Sequence, residues 1–270
     1  MHPVLQEILG FLREDTGLWD ITSESVVPGD AGASAEIVAK QDCVVAGARE
    51  LELICGHFGV ECSAVGDGTA VVAGSTVAEL RGRARTLLLL ERTILNILMR
   101  MSGIATATKR LVEIARSYGV VVAGTRKTTP GFRYFEKRAI AIGGGDPHRF
   151  RLDDAVLIKH NHLRFCGIEE AVKLAKQVSF TKLVEVEVSS PEQALLAAQA
   201  GADAVMLDNF TPEQVEQVLE QLRSRVLVEV SGGITPENIE SYAMLKPHVI
   251  STSWMCTSAP WVDMAMRLKP

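Results

Sequence analysis

Disulfide scaffolds, zinc ribbons and membrane spans all find little support in this chain. Its five cysteines, Cys43, Cys55, Cys62, Cys166 and Cys256, are odd in number and contain no CxxC pair. A disulfide framework and a zinc ribbon are therefore disfavoured, and reduced thiols of a cytoplasmic protein are the expectation. The most apolar window, Leu87 to Leu90, is flanked at once by Arg85, Glu91 and Arg92, too short for a bilayer. The N-terminal stretch MHPVLQEILGFLRED carries Glu7 and Arg13 among its apolar residues and lacks a signal-peptide layout. There is no excess of positive charge: the net charge is −5, which argues against nucleic acid or an anionic membrane as partner. Any anionic ligand has to be held by a local group of cations. Walker-type, GxGxxG and GxSxG motifs are also missing.

What remains is ordinary globular material. The 270 residues are 47% hydrophobic and 23% charged, enough for one large α/β domain or two moderate ones. From about Ala33 to Glu79 short β-branched runs alternate with Gly and Asp turns (AEIVAK, CVVAG, ECSAVGDG, AVVAG), which predicts a small sheet built from hairpins. Residues 84–116 then change period. ARTLLLLERTILNILMRMSG is apolar nearly all round, as in a helix buried on most sides or packed on another subunit. Its polar exceptions Arg92, Asn96 and Arg100 recur every four residues and form one stripe.

Beyond Gly119 a strand–helix alternation sets in. Apolar runs fall at residues 120–124, 155–158, 183–188, 204–207, 226–230 and 248–250. Amphipathic stretches separate most of them, and Pro191, Pro212 and Pro236 stand where helices would begin. This pattern predicts a parallel sheet closed into a complete or partly open α/β barrel. Polar groups follow each strand in turn: Thr125-Arg126-Lys127, Lys159, Glu187, Asp208-Asn209, Ser231-Gly232-Gly233 and Ser251-Thr252-Ser253. The carboxyl ends of barrel strands are where ligands bind, so these groups are expected to share one mouth.

Three sets carry chemistry. Arg126, Lys127, His148, Arg149 and Lys159, with Arg133 and Arg138 as further candidates, form a cationic set suited to carboxylate or phosphate. Glu187 and Asp208 are carboxylates that could hold Mg²⁺, bind sugar hydroxyls or stabilise positive charge on a sugar ring. SGGIT (residues 231–235) before a helix, with STS at 251–253, reads as a phosphate cradle. His160 and His162 lack a convincing third metal ligand, so orientation of neighbours by hydrogen bonds is the favoured role.

These residues resemble the quinolinate phosphoribosyltransferase family. The matching segments are EDTGLWDITSE, ERTILNILMRMSGIAT, GTRKTTPGFRYFEKRAIAIGGG, PHR, VLIKHNH, VEVEV, GADAVMLDNF and EVSGGIT, in the family's order over nearly the whole chain. The resemblance implies an N-terminal α/β sandwich domain over residues 1–103 and a C-terminal open α/β (TIM-like) barrel over 104–270, the last helix packing back on the first domain. It implies a cytoplasmic homodimer or dimer-based oligomer that joins quinolinate and phosphoribosyl pyrophosphate, with Mg²⁺, in NAD biosynthesis. Catalysis would fall to Lys159, Glu187 and Asp208. Arg126, His148, Arg149 and Lys159 would bind the quinolinate carboxylates, with Arg92 entering from the partner subunit. Lys127 and Lys159 would face pyrophosphate, while Glu187 and Asp208 would meet the ribose and Mg²⁺, directly or through water. Ser231, Gly232, Gly233, Thr252 and Ser253 would seat the 5′-phosphate. The chain departs from the family at His160 (an Asp in the usual KDNH), Asp146 (often His), Ser253 and Trp254 (usually Gly and a small residue) and Trp19 (usually Gly). The competing readings are a paralogue of the molybdate-transport-associated type with another acceptor, and a non-catalytic phosphate-sugar sensor.

Overall fold

The computed structural model describes residues 2–269. In chain order the elements are α1 (Pro3–Thr16), α2 (Ile21–Val26), β1 (Gly32–Ala39), β2 (Cys43–Val44), α3 (Ala48–His57), β3 (Glu61–Ala64), β4 (Ala70–Val71), β5 (Thr76–Arg83) and α4 (Ala84–Arg116). They continue with β6 (Val121–Gly124), α5 (Arg133–Ile142), β7 (Val156–Ile158), α6 (Ile168–Ala175), β8 (Val184–Val188), α7 (Pro191–Gln199) and β9 (Ala204–Asp208). The last are α8 (Pro212–Arg223), β10 (Leu227–Ser231), α9 (Ile239–Ala243), β11 (Val249–Thr252), α10 (Trp254–Thr257) and β12 (Met264–Lys269). Two compact units divide them: one holds the stretch through Ala107, Tyr134–Gly143 and the stretch from Ala259, the other Thr108–Arg133 and Gly144–Ser258.

The first unit is an antiparallel sheet, order β12-β1-β5-β3, with helices. His2 starts α1 by accepting from Val4 N at 3.3 Å, and Pro3 occupies the first turn. The helix buries Val4, Leu5, Ile8 and Leu12, one stripe at helical spacing. In α4, Leu87, Leu90, Ile94, Leu98, Met101 and Ile104 are all nearly inaccessible, which agrees with the apolar run read from sequence. Arg92 and Asn96 are exposed on that helix, while Arg100 pairs with buried Glu136 at 2.7 Å.

Three expectations need correction. The region 33–79 is not a chain of hairpins, because α3 intervenes and β1 pairs with β5 and β12. Leu51, Ile54 and Cys55 supply a helical apolar stripe, and Asp67 Oδ1 accepts from Gly47 N and Ala48 N at 2.8 and 2.9 Å to start the helix. The C-terminal segment is a strand, β12, rather than a helix, in register from Ser34↔Lys269 to Ala39↔Met264. Its basic side chains alternate, so Arg267 and Lys269 both reach Glu36, at 3.9 and 2.9 Å. Finally, Pro236 lies in a turn and α9 begins only at Ile239. Thr235 N donates to Asn238 Oδ1 at 2.8 Å, and that side-chain turn delays the helix.

The second unit is a six-stranded sheet, order β6-β11-β10-β9-β8-β7, parallel throughout. All six strands read from sequence are present. The edge strands β6 and β7 do not pair among the described residues, so the barrel is open, as expected. Strand residues alternate strictly. Val184, Val186, Val205, Leu207, Val228 and Val230 are fully buried in the apolar core, while Glu187, Met206, Glu229 and Ser231 look into a cavity. α7 and α8 start at Pro191 and Pro212, after Ser190 and Thr211 as caps, and Thr211 with Gln214 completes a capping box. No helix among the described residues is long and apolar enough to cross a membrane.

Candidate active site

The strand ends of the second unit surround a cavity of about 680 Å³. Its cationic wall is made by Arg126 and Lys127 after β6, His148 and Arg149 before β7, and Lys159 after it. Glu187 and Asp208, at the ends of β8 and β9, line the same cavity as the turns Ser231-Gly232-Gly233 and Thr252-Ser253, and the pairing of β11 with β6 sets Thr252 beside Gly124. Every site residue expected of this unit, Arg133 excepted, therefore lines one cavity. Arg92 is outside this lining, exposed on α4. Arg138, a candidate cation, is instead a structural ion-pair partner of Glu50 (3.0 Å) and Asp67 (2.6 Å) in the first unit. Arg133 is also absent from the lining.

Two groups of lining residues differ in what they can grip. In the first, Arg126 Nε is buried without an acceptor among the described residues. Burial, and then the charge of Arg126, pull Arg149 below the ordinary arginine range. It stays charged, so two crowded guanidiniums await an anion that would relieve their repulsion. In the second, Gly232 and Gly233 have φ of 98° and 62°, which glycine adopts without strain. Among the described residues, the N–H groups of Gly232, Gly233 and Ser253 donate to no protein atom. Free amides at a cavity wall are suited to an anion. A side chain at Gly232 would collide with Asn209, at 2.3 Å from Oδ1 and 2.8 Å from N. The Thr252 hydroxyl donates to Ile234 O (2.7 Å) and accepts from Trp254 N (3.0 Å), so it ties the two turns together. The Ser251 hydroxyl likewise reaches Ser231 Oγ at 2.9 Å.

Lys159 forms an ion pair with Glu187. Burial, then the Glu187 charge, raise the Asp208 carboxyl above its usual range. Beneath them lie two carboxylates to which the sequence reading gave no role. His148 Nε2 is 3.6 Å from Glu185 Oε2 and 3.7 Å from Glu229 Oε2. Burial, then the Glu229 charge, push the Glu185 carboxyl well above its usual range. The trio's ligand atoms lie within 4.8 Å of one another. Glu185 also feels the charge of Arg149, which disfavours a cation at this trio. The signal for Glu229 was available: in VLVEVS it shares a strand face with Ser231.

The departures from the family pattern fall in different places. His160 is exposed and outside the cavity lining, whereas His162 Nδ1 accepts from Lys159 N at 2.8 Å and orders the lysine turn. Asp146 Oδ1 accepts from His148 N at 2.7 Å, and its backbone bridges to Ala123 of β6. It is a loop organiser. Ser253 and Trp254 do line the cavity.

An α/β barrel whose strand ends join cations, carboxylates and free glycine amides defines an enzyme-type site for a phosphorylated, carboxylated substrate pair. The chain belongs to the quinolinate phosphoribosyltransferase family: residues 20–102 match its N-terminal domain and residues 104–267 its C-terminal domain. It is 44% identical to the "Probable nicotinate-nucleotide pyrophosphorylase", carboxylating, of Methanothermobacter thermautotrophicus, over 100% of this chain and 99% of that protein. Against the human carboxylating nicotinate-nucleotide pyrophosphorylase it is 41% identical, over 96% and 89% of the two chains. The crystal structure of NadC from Streptococcus pyogenes superposes with a TM-score of 0.94 at 34% identity, covering 100% of this chain and 98% of that one.

Proposed function

We propose that this protein transfers the phosphoribosyl group of phosphoribosyl pyrophosphate to quinolinate and releases pyrophosphate and carbon dioxide, giving nicotinate mononucleotide for NAD biosynthesis. The observation that carries the reading is that one cavity joins the cations Arg126, Lys127, His148, Arg149 and Lys159 with the carboxylates Glu187 and Asp208 and with three free amides. Quinolinate has two adjacent carboxylates, which calls for several cations: Arg126, His148 and Arg149, with Lys159. The 5′-phosphate is seated on Gly232, Gly233 and Ser253 N–H groups.

The chemistry follows from these roles. The bond from the sugar's C1 to pyrophosphate breaks as Lys127 and Lys159 neutralise the charge on the leaving group. Glu187 and Asp208 stabilise the positive charge that develops on the ribose ring. The pyridine nitrogen forms the new bond to C1 and becomes cationic. The bond from ring C2 to its carboxylate then breaks, its electrons staying on C2 beside the cationic nitrogen. Carbon dioxide leaves, and C2 takes a proton from solvent. Glu187 and Asp208 offer only hard oxygen donors, and their mutual repulsion is relieved by a divalent cation, so they fit Mg²⁺. Bound there, Mg²⁺ would supply Lewis-acid neutralisation of the pyrophosphate.

The test is an assay with quinolinate, phosphoribosyl pyrophosphate and Mg²⁺, following nicotinate mononucleotide and carbon dioxide together, with nicotinate as control acceptor. Equal, quinolinate-dependent formation of both products is expected. Binding of phosphoribosyl pyrophosphate without turnover would hand the site to another acceptor or to a sensor.

The working form we propose is a cytoplasmic homodimer in which exposed Arg92 completes the quinolinate site of the other subunit. Mixing inactive Arg92→Ala and Lys159→Ala subunits should then restore part of the activity, since one site in each mixed dimer is intact. Confirmed mixed dimers with no recovery would remove Arg92 from that role.

A further inference from the structure

The substrate-facing cations sit on two loops, one after β6 and one before β7, and Arg133 joins those loops without itself lining the cavity. Its Nε donates to Thr128 Oγ1 at 3.0 Å, and its Nη1 donates to the Phe150 carbonyl at 3.3 Å. The other side of Phe150 is also held: Asp154 Oδ2 accepts from Phe150 N at 2.6 Å and from Arg151 N at 2.9 Å. Those donations, led by Arg151, keep the Asp154 carboxyl below its usual range. Phe150 is thus gripped at both its N–H and its C=O.

The residue immediately before this grip is Arg149, whose φ is 28°. A side-chain-bearing residue does not choose that conformation and keeps it only where its surroundings impose it. The imposed backbone sends the guanidinium across the loop, where Nη1 donates to Ala155 O at 3.1 Å, and Arg149 lines the cavity. All of these groups belong to the second unit.

We propose that Arg133 and Asp154 are positioning residues that clamp the Phe150 peptide, hold Arg149 in its strained conformation and so preset its guanidinium for the dicarboxylate substrate. Neither residue binds substrate. The clamp rests on the assignment of Arg149 to quinolinate, and its value is preorganisation: a fork already aimed does not have to be ordered when the substrate arrives.

The test compares Asp154→Ala, Asp154→Asn, Arg133→Gln and Arg149→Ala, alone and combined, in the Mg²⁺-loaded enzyme. Asp154→Ala and Arg133→Gln should each raise the quinolinate KM about tenfold and leave the phosphoribosyl pyrophosphate KM within about twofold. Asp154→Asn retains an oxygen for the two amides and should restore the parent KM. In an Arg149→Ala background, Asp154→Ala should add nothing to the quinolinate KM, because its effect passes through Arg149. A further, additive rise there would overturn the clamp, as would equal losses for both substrates, which is the signature of a general structural role. If Arg149→Ala raises the quinolinate KM while the clamp variants do not, the clamp alone fails. If Arg149→Ala itself changes nothing, the assignment beneath the clamp fails with it.

Discussion

Lys159→Ala should lower kcat by about 100- to 1,000-fold, the range seen when a single group aimed at developing transition-state charge is removed. The lysine follows β7 at the mouth, its turn ordered by His162, and its ammonium faces Glu187. In the free protein that ion pair neutralises both partners. On catalysis the leaving pyrophosphate gains charge, and the ammonium is a compact cation suited to meet it. Removal has a second effect: Glu187 is left uncompensated beside Asp208, whose carboxyl already feels the Glu187 charge. Lys159→Arg keeps the charge on a different fork and should retain more activity than alanine. Single-turnover rates with both substrates saturating give the comparison, and an alanine variant within fivefold of the parent would remove Lys159 from the leaving-group step.

Arg149→Ala should raise the quinolinate KM by about 100-fold, from roughly 3 kcal/mol for a charge-assisted, two-pronged contact to carboxylate. Two local features limit that figure. One Nη1 hydrogen is already committed to Ala155 O, and loss of Arg149 relieves its repulsion with Arg126. Affinity for phosphoribosyl pyrophosphate should hold, because its 5′-phosphate is proposed to rest on the Gly232, Gly233 and Ser253 amides rather than on Arg149. Isothermal titration with each substrate separates the two, alongside a thermal melt, since alanine at the strained φ can loosen the loop. Quinolinate affinity unchanged within twofold would exclude Arg149 from carboxylate binding.

The barrel was legible because its signals are local. A run such as KLVEVEV declares a strand by its β-branched residues and declares which side chains share a face. PEQ after Ser190 and after Thr211 declares a helix start. Polar residues directly after such strands could be assigned to one mouth from the parallel arrangement alone, and those of this unit do line one cavity. Where signals were weak or split, the reading went astray. α3 hides among turn-rich strands, and its cap, Asp67, lies 19 and 20 residues beyond the amides it holds. β12 is a six-residue strand whose partner β1 lies over 200 residues earlier, so no local pattern separates it from a helix.

By itself, then, the sequence determined the strand–helix order of the barrel and which side chains each strand end offers, since periodicity and capping act over a few residues. Tertiary structure alone decided which of those groups meet. Register across β8, β9 and β10 brings Glu185 and Glu229 under His148. Packing converts Arg138 from a candidate ligand into the partner of Glu50 and Asp67. The fold of two loops makes Arg133 a brace and gives Arg149 a backbone it would not choose. Those outcomes depend on contacts between residues far apart in the chain, and their energies exist only once the sheet has set the distances between them.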